Sequence, residues 1–136
     1  MGFSAYVNKS AESMGEWLKL GAFEQDPNSG EWYPLDERLI KQLPSRYWNA
    51  YEGYIGNGSG RAELLDDLAK VSDTFPTIER LLKCDTVIRP DQLDAFSREV
   101  ERLLSYRITR HLRLIALRLR KAVVVARHEN NPILIH

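Results

Sequence analysis

The feature that most constrains this chain is a run of helical periodicity from about Asp91 to His128, in which the acids stop at Glu101 while the bases continue. On a 3.6-residue wheel Leu104, Ile108, His111, Leu112, Ile115, Leu119, Ala122, Val123 and Ala126 share one stripe, the spacing that lets a helix bury one side. Pro90 at the first helical position and Asp91 in the first turn supply an ordinary start, since the proline has no N–H to waste and the acid complements the macrodipole. The sequence therefore predicts one long amphipathic helix over about 91–128.

The opposite arc carries Arg102, Arg113, Arg120 and Arg127 in near-heptad register, with Arg110 and Lys121 beside them and Arg107 and Arg118 toward the border. Tyr106, Leu114, Leu117, Val124 and Val125 sit between these charges. Such apolar residues would be wet if the helix lay on the surface of a monomer, so the pattern asks for a cover. The acid-rich first part of the chain, or another copy, would serve. An acidic protein surface would serve equally, because clustered arginines offer forked contacts to carboxylates while their methylene stems pack on apolar surface. A nucleic-acid backbone is the third choice, through phosphate contacts and counterion release. The candidate partner-binding residues are Arg107, Arg110, Arg113, Leu117, Arg120, Lys121, Val124 and Arg127.

Net charge sharpens that choice. The chain is neutral, with a pI near 6.8, whereas a dedicated nucleic-acid binder usually has a pI above about 9 or a recognisable module. Neutrality conceals a division: residues 1–101 hold 11 bases and 18 acids, and residues 102–128 hold 8 bases and no acid. Such asymmetry speaks to partners and steering rather than to fold.

The remaining segments read as a small helical bundle in a single domain of 136 residues. Phe3, Val7, Met14 and Leu18 share a helical face over about 4–20. Residues 22–35 read as a β-hairpin around Asp26-Pro27-Asn28-Ser29-Gly30. A short helix is expected over 36–42, ending before Pro44, and an aromatic helix over 45–55 through Tyr47, Tyr51, Tyr54 and Ile55. Gly56-Asn57-Gly58-Ser59-Gly60 reads as a flexible loop. Helices are expected at 61–71 and 76–83, and an extended segment at 86–89. The expected fold class is thus mainly α, with five or six helices and one short hairpin at about 22–35.

Little in the chain points to chemistry. His111, His128 and His136 show no zinc-like spacing to each other or to a cysteine, so no metal or cofactor is expected. Cys84, the one cysteine, lies between Lys83 and Asp85, whose charges act oppositely on a thiol. The glycines of 56–60 lack the lysine and hydroxyl of a phosphate-binding loop. Asp66-Asp67 and the Asp91/Asp94 pair read as solvated helix faces. The aromatic concentration from Trp32 to Tyr54 reads as core, with an interface as its alternative. No twenty-residue apolar span is present, because Arg113, Arg118, Arg120 and Lys121 interrupt the most apolar window. Neither a signal nor a transit peptide is evident in the first twenty residues.

The stretch from Gly21 through Asp26 to Leu43-Pro44, 24 of the 136 residues, resembles the small matrix-side subunit of the mitochondrial cytochrome bc1 complex. The rest of the chain departs from that family's pattern, and no activity or site is taken from it. The expectation is a non-catalytic protein–protein interaction subunit or adaptor, soluble and intracellular, in the cytoplasm or an organelle interior. Its partners would be other subunits or a second copy of itself, with nucleic acid as the alternative.

Overall fold

The computed structural model describes residues 2–15, 23–35, 38 and 48–136. Its elements are β1 (Phe3–Asn8), α1 (Ala11–Met14), β2 (Phe23–Gln25), β3 (Trp32–Pro34), β4 (Asn49–Gly56), α2 (Gly58–Ala69), α3 (Pro76–Lys83), β5 (Thr86–Ile88), a 3₁₀ turn (Pro90–Gln92), α4 (Leu93–Leu104), α5 (Arg110–Glu129) and β6 (Ile133–Ile135). Four strands form an antiparallel sheet in the order β4-β1-β6-β5, and β2 pairs with β3 alone. The architecture is a mixture of helix and sheet, which overturns the expectation of a mainly α bundle with a single hairpin.

The sheet arises where the same residues satisfy two periods. Phe3 and Val7 are four apart, which suits a helix, yet Phe3, Ala5 and Val7 also alternate with Ser4 and Tyr6. Strand β1 uses the second period, burying the alternate set and leaving Ser4 and Tyr6 half-buried. In β4, likewise, Tyr51 and Ile55 are not successive turns of a helix but alternate members of a strand, with Gly53 between them. A side-chain carbon on Gly53 would lie 2.5 Å from the Tyr51 hydroxyl oxygen, so the tyrosine ring folds across the glycine. From there its hydroxyl donates to the Arg118 carbonyl at 3.0 Å and ties the strand to α5. The expected helix over 4–20 is therefore replaced, in its described part, by β1 and the single turn α1. The expected helix over 45–55 gives way to β4 from Asn49 onward. Residues 39–47, which hold most of the expected helix at 36–42, lie outside the described residues.

The last strand, β6, follows Pro132 and is buried at all three positions. It enters the sheet between β1 and β5, with Ala5 opposite Ile135 and Thr86 opposite Ile135 on its other side. The hairpin of β2 and β3 matches the expected one. Asp26 Oδ1 accepts from the Asn28 and Ser29 N–H groups, and Gly30 takes a φ of +71°. Gly30 also has to be small, because an added Cβ would meet Asn131 Oδ1 at 2.7 Å. Trp32 donates its indole N–H to the Lys9 carbonyl, which fastens the hairpin to the end of β1.

The single long helix expected over 91–128 is two helices. Helix α4 ends at Leu104, where the Ser105 hydroxyl donates to the Arg102 carbonyl at 2.6 Å. Helix α5 begins after Thr109, whose side chain accepts from Leu112 N–H at 3.3 Å. The two pack against each other. Ser105, Ile108 and Thr109 are weak helix formers, and Thr109 gains more as an N-cap than as an interior residue. Inward residues of both helices, such as Phe96, Val100, Leu112, Ile115 and Leu119, join one core with Ala5, Val7, Ile55 and Ile133 from the sheet. His111 is exposed rather than part of the buried stripe.

Two buried carboxylates serve as caps. Glu99 on α4 accepts from the Thr77 and Ile78 N–H groups at 3.2 and 2.7 Å, supplying the side-chain cap that Phe75 cannot give to α3. Glu129 accepts from Ser10 N–H at 2.8 Å and the Ser13 hydroxyl at 2.7 Å, joining the end of α5 to α1. At the other glycine-rich position, Asn57 Oδ1 accepts from Gly60 N–H at 2.8 Å, and Gly58, Ser59 and Gly60 form the first turn of α2.

Candidate functional site

Helix α5 lies with Leu112, Ile115, Leu119, Ala122 and Ala126 toward the sheet and α4. A helix of this kind should be polar on the other side. Here the other side carries Leu114, Leu117 and Val124, exposed at 44%, 39% and 61%. Arg110, Arg113, Lys121 and His128 are exposed on the same arc. Among the described residues the other large exposed apolar side chains, Tyr33, Leu35, Tyr54 and Val87, belong to the hairpin and the sheet edges, or follow directly on them.

The eight residues singled out from the sequence divide into two groups. Arg110, Arg113, Leu117, Lys121 and Val124 lie together on the outward arc, and Arg107 is exposed in the turn before α5. Among the described residues no ion pair or side-chain hydrogen bond engages Arg107, Arg110, Arg113 or Lys121. Arg120 and Arg127 are on the flank that faces α4 and are already engaged. Arg120 is bonded to Glu101, and Arg127 Nη2 lies 2.8 Å from Asp94 Oδ1.

The charge division is thus in part internal. Arg102, on α4 itself, donates to Asp73 Oδ2 at 3.1 Å and to the Thr74 carbonyl at 2.6 Å. Tyr106 donates to the same Asp73 oxygen at 2.9 Å. The Thr74 backbone N–H, the Tyr106 hydroxyl and Arg102 together hold the Asp73 carboxyl below its usual range. Arg118 donates to the Tyr54 carbonyl at the edge of the sheet. What these pairs leave over is a patch of four cations and three apolar side chains, with Arg107, Arg110 and Arg113 gathered at its N-terminal end.

Leu114 and His128 belong to this patch but are not among the eight. The spacing contained them: Arg110, Leu114, Leu117, Lys121, Val124 and His128 follow one another at steps of four and three. All six lie within α5, so the break at 105–109 leaves their relative phase unchanged, and Leu114 already falls on this arc of the helical wheel.

Other concave places are less suggestive. A cleft of about 220 Å³ between the sheet and the hairpin is lined by Tyr6, Glu31, Trp48, Glu52, Leu134 and His136, with the Tyr6 and His136 rings stacked at 4.8 Å. A smaller one, about 130 Å³, lies between α2 and α3 beside Phe75 and Asp73. Among the described residues no group of three or more His, Cys, Asp or Glu side chains is placed to hold a metal ion. No described helix is long and apolar enough to cross a membrane. No protein-family model matches the chain, and neither a curated protein nor a solved structure does so.

Proposed function

We propose that this protein is a non-catalytic interaction subunit that docks an acidic, partly apolar protein surface on the outward face of α5. The observation that carries this reading is the exposure of Leu114, Leu117 and Val124 among Arg110, Arg113 and Lys121. Apolar side chains gain from a cover by roughly 25 cal/mol for each Å² removed from water. The interleaved cations set what that cover must carry, because like charges placed opposite them would cost several kcal/mol. Carboxylates satisfy both demands when they rim an apolar patch. A phosphate backbone would satisfy the cations only and leave the three apolar side chains without a counterpart.

A photo-crosslinking residue at position 117, in the cell that makes the protein, tests the reading, with position 87 on the exposed edge strand β5 as the control. One dominant protein adduct is expected from position 117, at a carboxylate-bearing surface of the partner, and it should vanish in R110E/R113E. Adducts to nucleic acid alone, or the same adducts from both positions, would overturn it. Nucleic acid would also reveal itself by an affinity that falls steeply with salt.

A further inference from the structure

The outward seam of α5 is more specific than an apolar patch with charges on it. Arg110, Leu114, Leu117, Lys121, Val124 and His128 recur at intervals of four, three, four, three and four residues. That is the spacing of the two core positions of a coiled-coil heptad, which a straight helix presents as a nearly axial line. From Arg110 to His128 the line runs about 27 Å at 1.5 Å per residue. Arg113, Arg120 and Arg127 flank it at seven-residue intervals. A seam of this kind is matched by another helix crossing at roughly 20°, with its side chains seated between those of α5.

Resting on the reading of this face as a docking surface, we propose that its occupant is an acidic amphipathic helix of another protein, packed along α5 in heptad register. Charge decides against a second copy of α5. Residues 102–128 contain no acid, so two such helices would bring Lys121 and Arg110 together with bases or apolar groups in either direction and offer no countercharge. Charge also gives the partner a polarity. Arg120 and Arg127 are held by Glu101 and Asp94, whereas Arg107, Arg110 and Arg113 are free among the described residues and cluster at the N-terminal end of α5. The positive end of the helix macrodipole lies there as well. The acids of the partner helix therefore belong over that end, its apolar residues over Leu117 and Val124, and one acid opposite Lys121.

The test is a titration of the whole protein with synthetic three-heptad peptides, followed by the methyl resonances of Leu114, Leu117 and Val124. The first peptide has leucine at the core positions, glutamate facing Lys121 and glutamates over Arg110 and Arg113. The second has the same composition in an order that destroys the heptad. Saturable shifts confined to α5 are expected with the first peptide, and binding at least about tenfold weaker with the second, a difference of about 1.4 kcal/mol. K121E should weaken the first peptide and recover binding when its facing glutamate becomes lysine. Equal binding of both peptides, shifts elsewhere on the protein, or no recovery would overturn the proposal. Lys121 is exposed, and unchanged circular dichroism of the variant confirms that folding is not being read. Should the crosslink from position 117 fall on a sheet or loop of its partner, the docking surface stands and the helical occupant fails.

Discussion

Arg120 donates from Nε and Nη2 to the two carboxylate oxygens of Glu101, at 2.7 and 3.0 Å, a fork that fastens α5 to α4. The pair removes one arginine from the outward face and, with Arg127 and Asp94, explains why that face is less basic than its sequence. Both pairs are solvent-exposed, so their worth is small and screened by salt. E101Q/D94N should lower the thermal midpoint by only about 2 °C, and the difference should disappear in 1 M salt. Calorimetry at two salt concentrations measures this. The same variant frees two cations beside the seam, so an acidic peptide should bind it more tightly at low salt.

Gly53 and Tyr51 are expected to be coupled. A methyl at position 53 would occupy the place of the Tyr51 ring, whose Cε1 and Cζ atoms would both lie 2.9 Å from it. G53A should destabilise by about 1–3 kcal/mol, the usual cost of overpacking. Truncating the ring removes the obstacle, so G53A in a Y51A background should cost much less. Urea unfolding of the four proteins gives the coupling directly.

Glu99 is buried and holds the first turn of α3. E99A leaves the Thr77 and Ile78 N–H groups without their partner, a loss of about 1–3 kcal/mol for buried donors. E99Q keeps one acceptor oxygen and should fall between. Hydrogen exchange of those two amides locates the effect: their protection should drop in E99A while the amides of β1 change only by the global loss.

Acid sensitivity follows from Glu129 and Asp73. Burial pushes the Glu129 carboxyl up, but the Ser10 N–H, the Ser13 and Ser10 hydroxyls and the neighbouring His128 more than offset it, leaving it below the usual carboxylate range. Asp73 is held low by the Thr74 N–H first and by Tyr106 and Arg102 after it. A lowered folded-state pKa contributes stability above the unfolded value, near 4, and loses it as pH falls through the folded value. Denaturant midpoints should therefore hold between pH 7 and about 5 and drop below about 4. E129Q and D73N should each start lower at pH 7 and show a shallower acid limb.

Which parts of this fold could be read from the chain depended on how local their causes are. The hairpin was legible because Asp26, Asn28, Ser29 and Gly30 make its turn by themselves. Helix α3 was legible because Pro76 opens it and Ile78, Leu81 and Leu82 repeat at helical spacing. The four-stranded sheet was not. Phe3 and Val7 fit either period, and what selects the strand is pairing with β4, about fifty positions away, and with β6, more than a hundred positions away. The break at 105–109 carries no glycine or proline, only a serine and a threonine able to bond the helix ends. Length alone argues against one helix: over 91–128 it would span about 57 Å, in a chain whose compact radius of gyration is about 14 Å. The mixed outward face of α5 was visible in the sequence, but which arginines remain free was not. That depends on Glu101 and Asp94 folding back beside them.

The most direct measurement of the docking claim is in-cell methyl NMR of the labelled protein, compared with the same protein purified. In the purified state the Leu114, Leu117 and Val124 methyls should be open to a soluble paramagnetic probe. Inside the cell those three should shift or broaden selectively, with Val87 at the sheet edge as the unaffected reference, and R110E/R113E should restore the purified spectrum. Identical α5 methyl spectra in the two settings, with and without R110E/R113E, would contradict a docking surface on this helix.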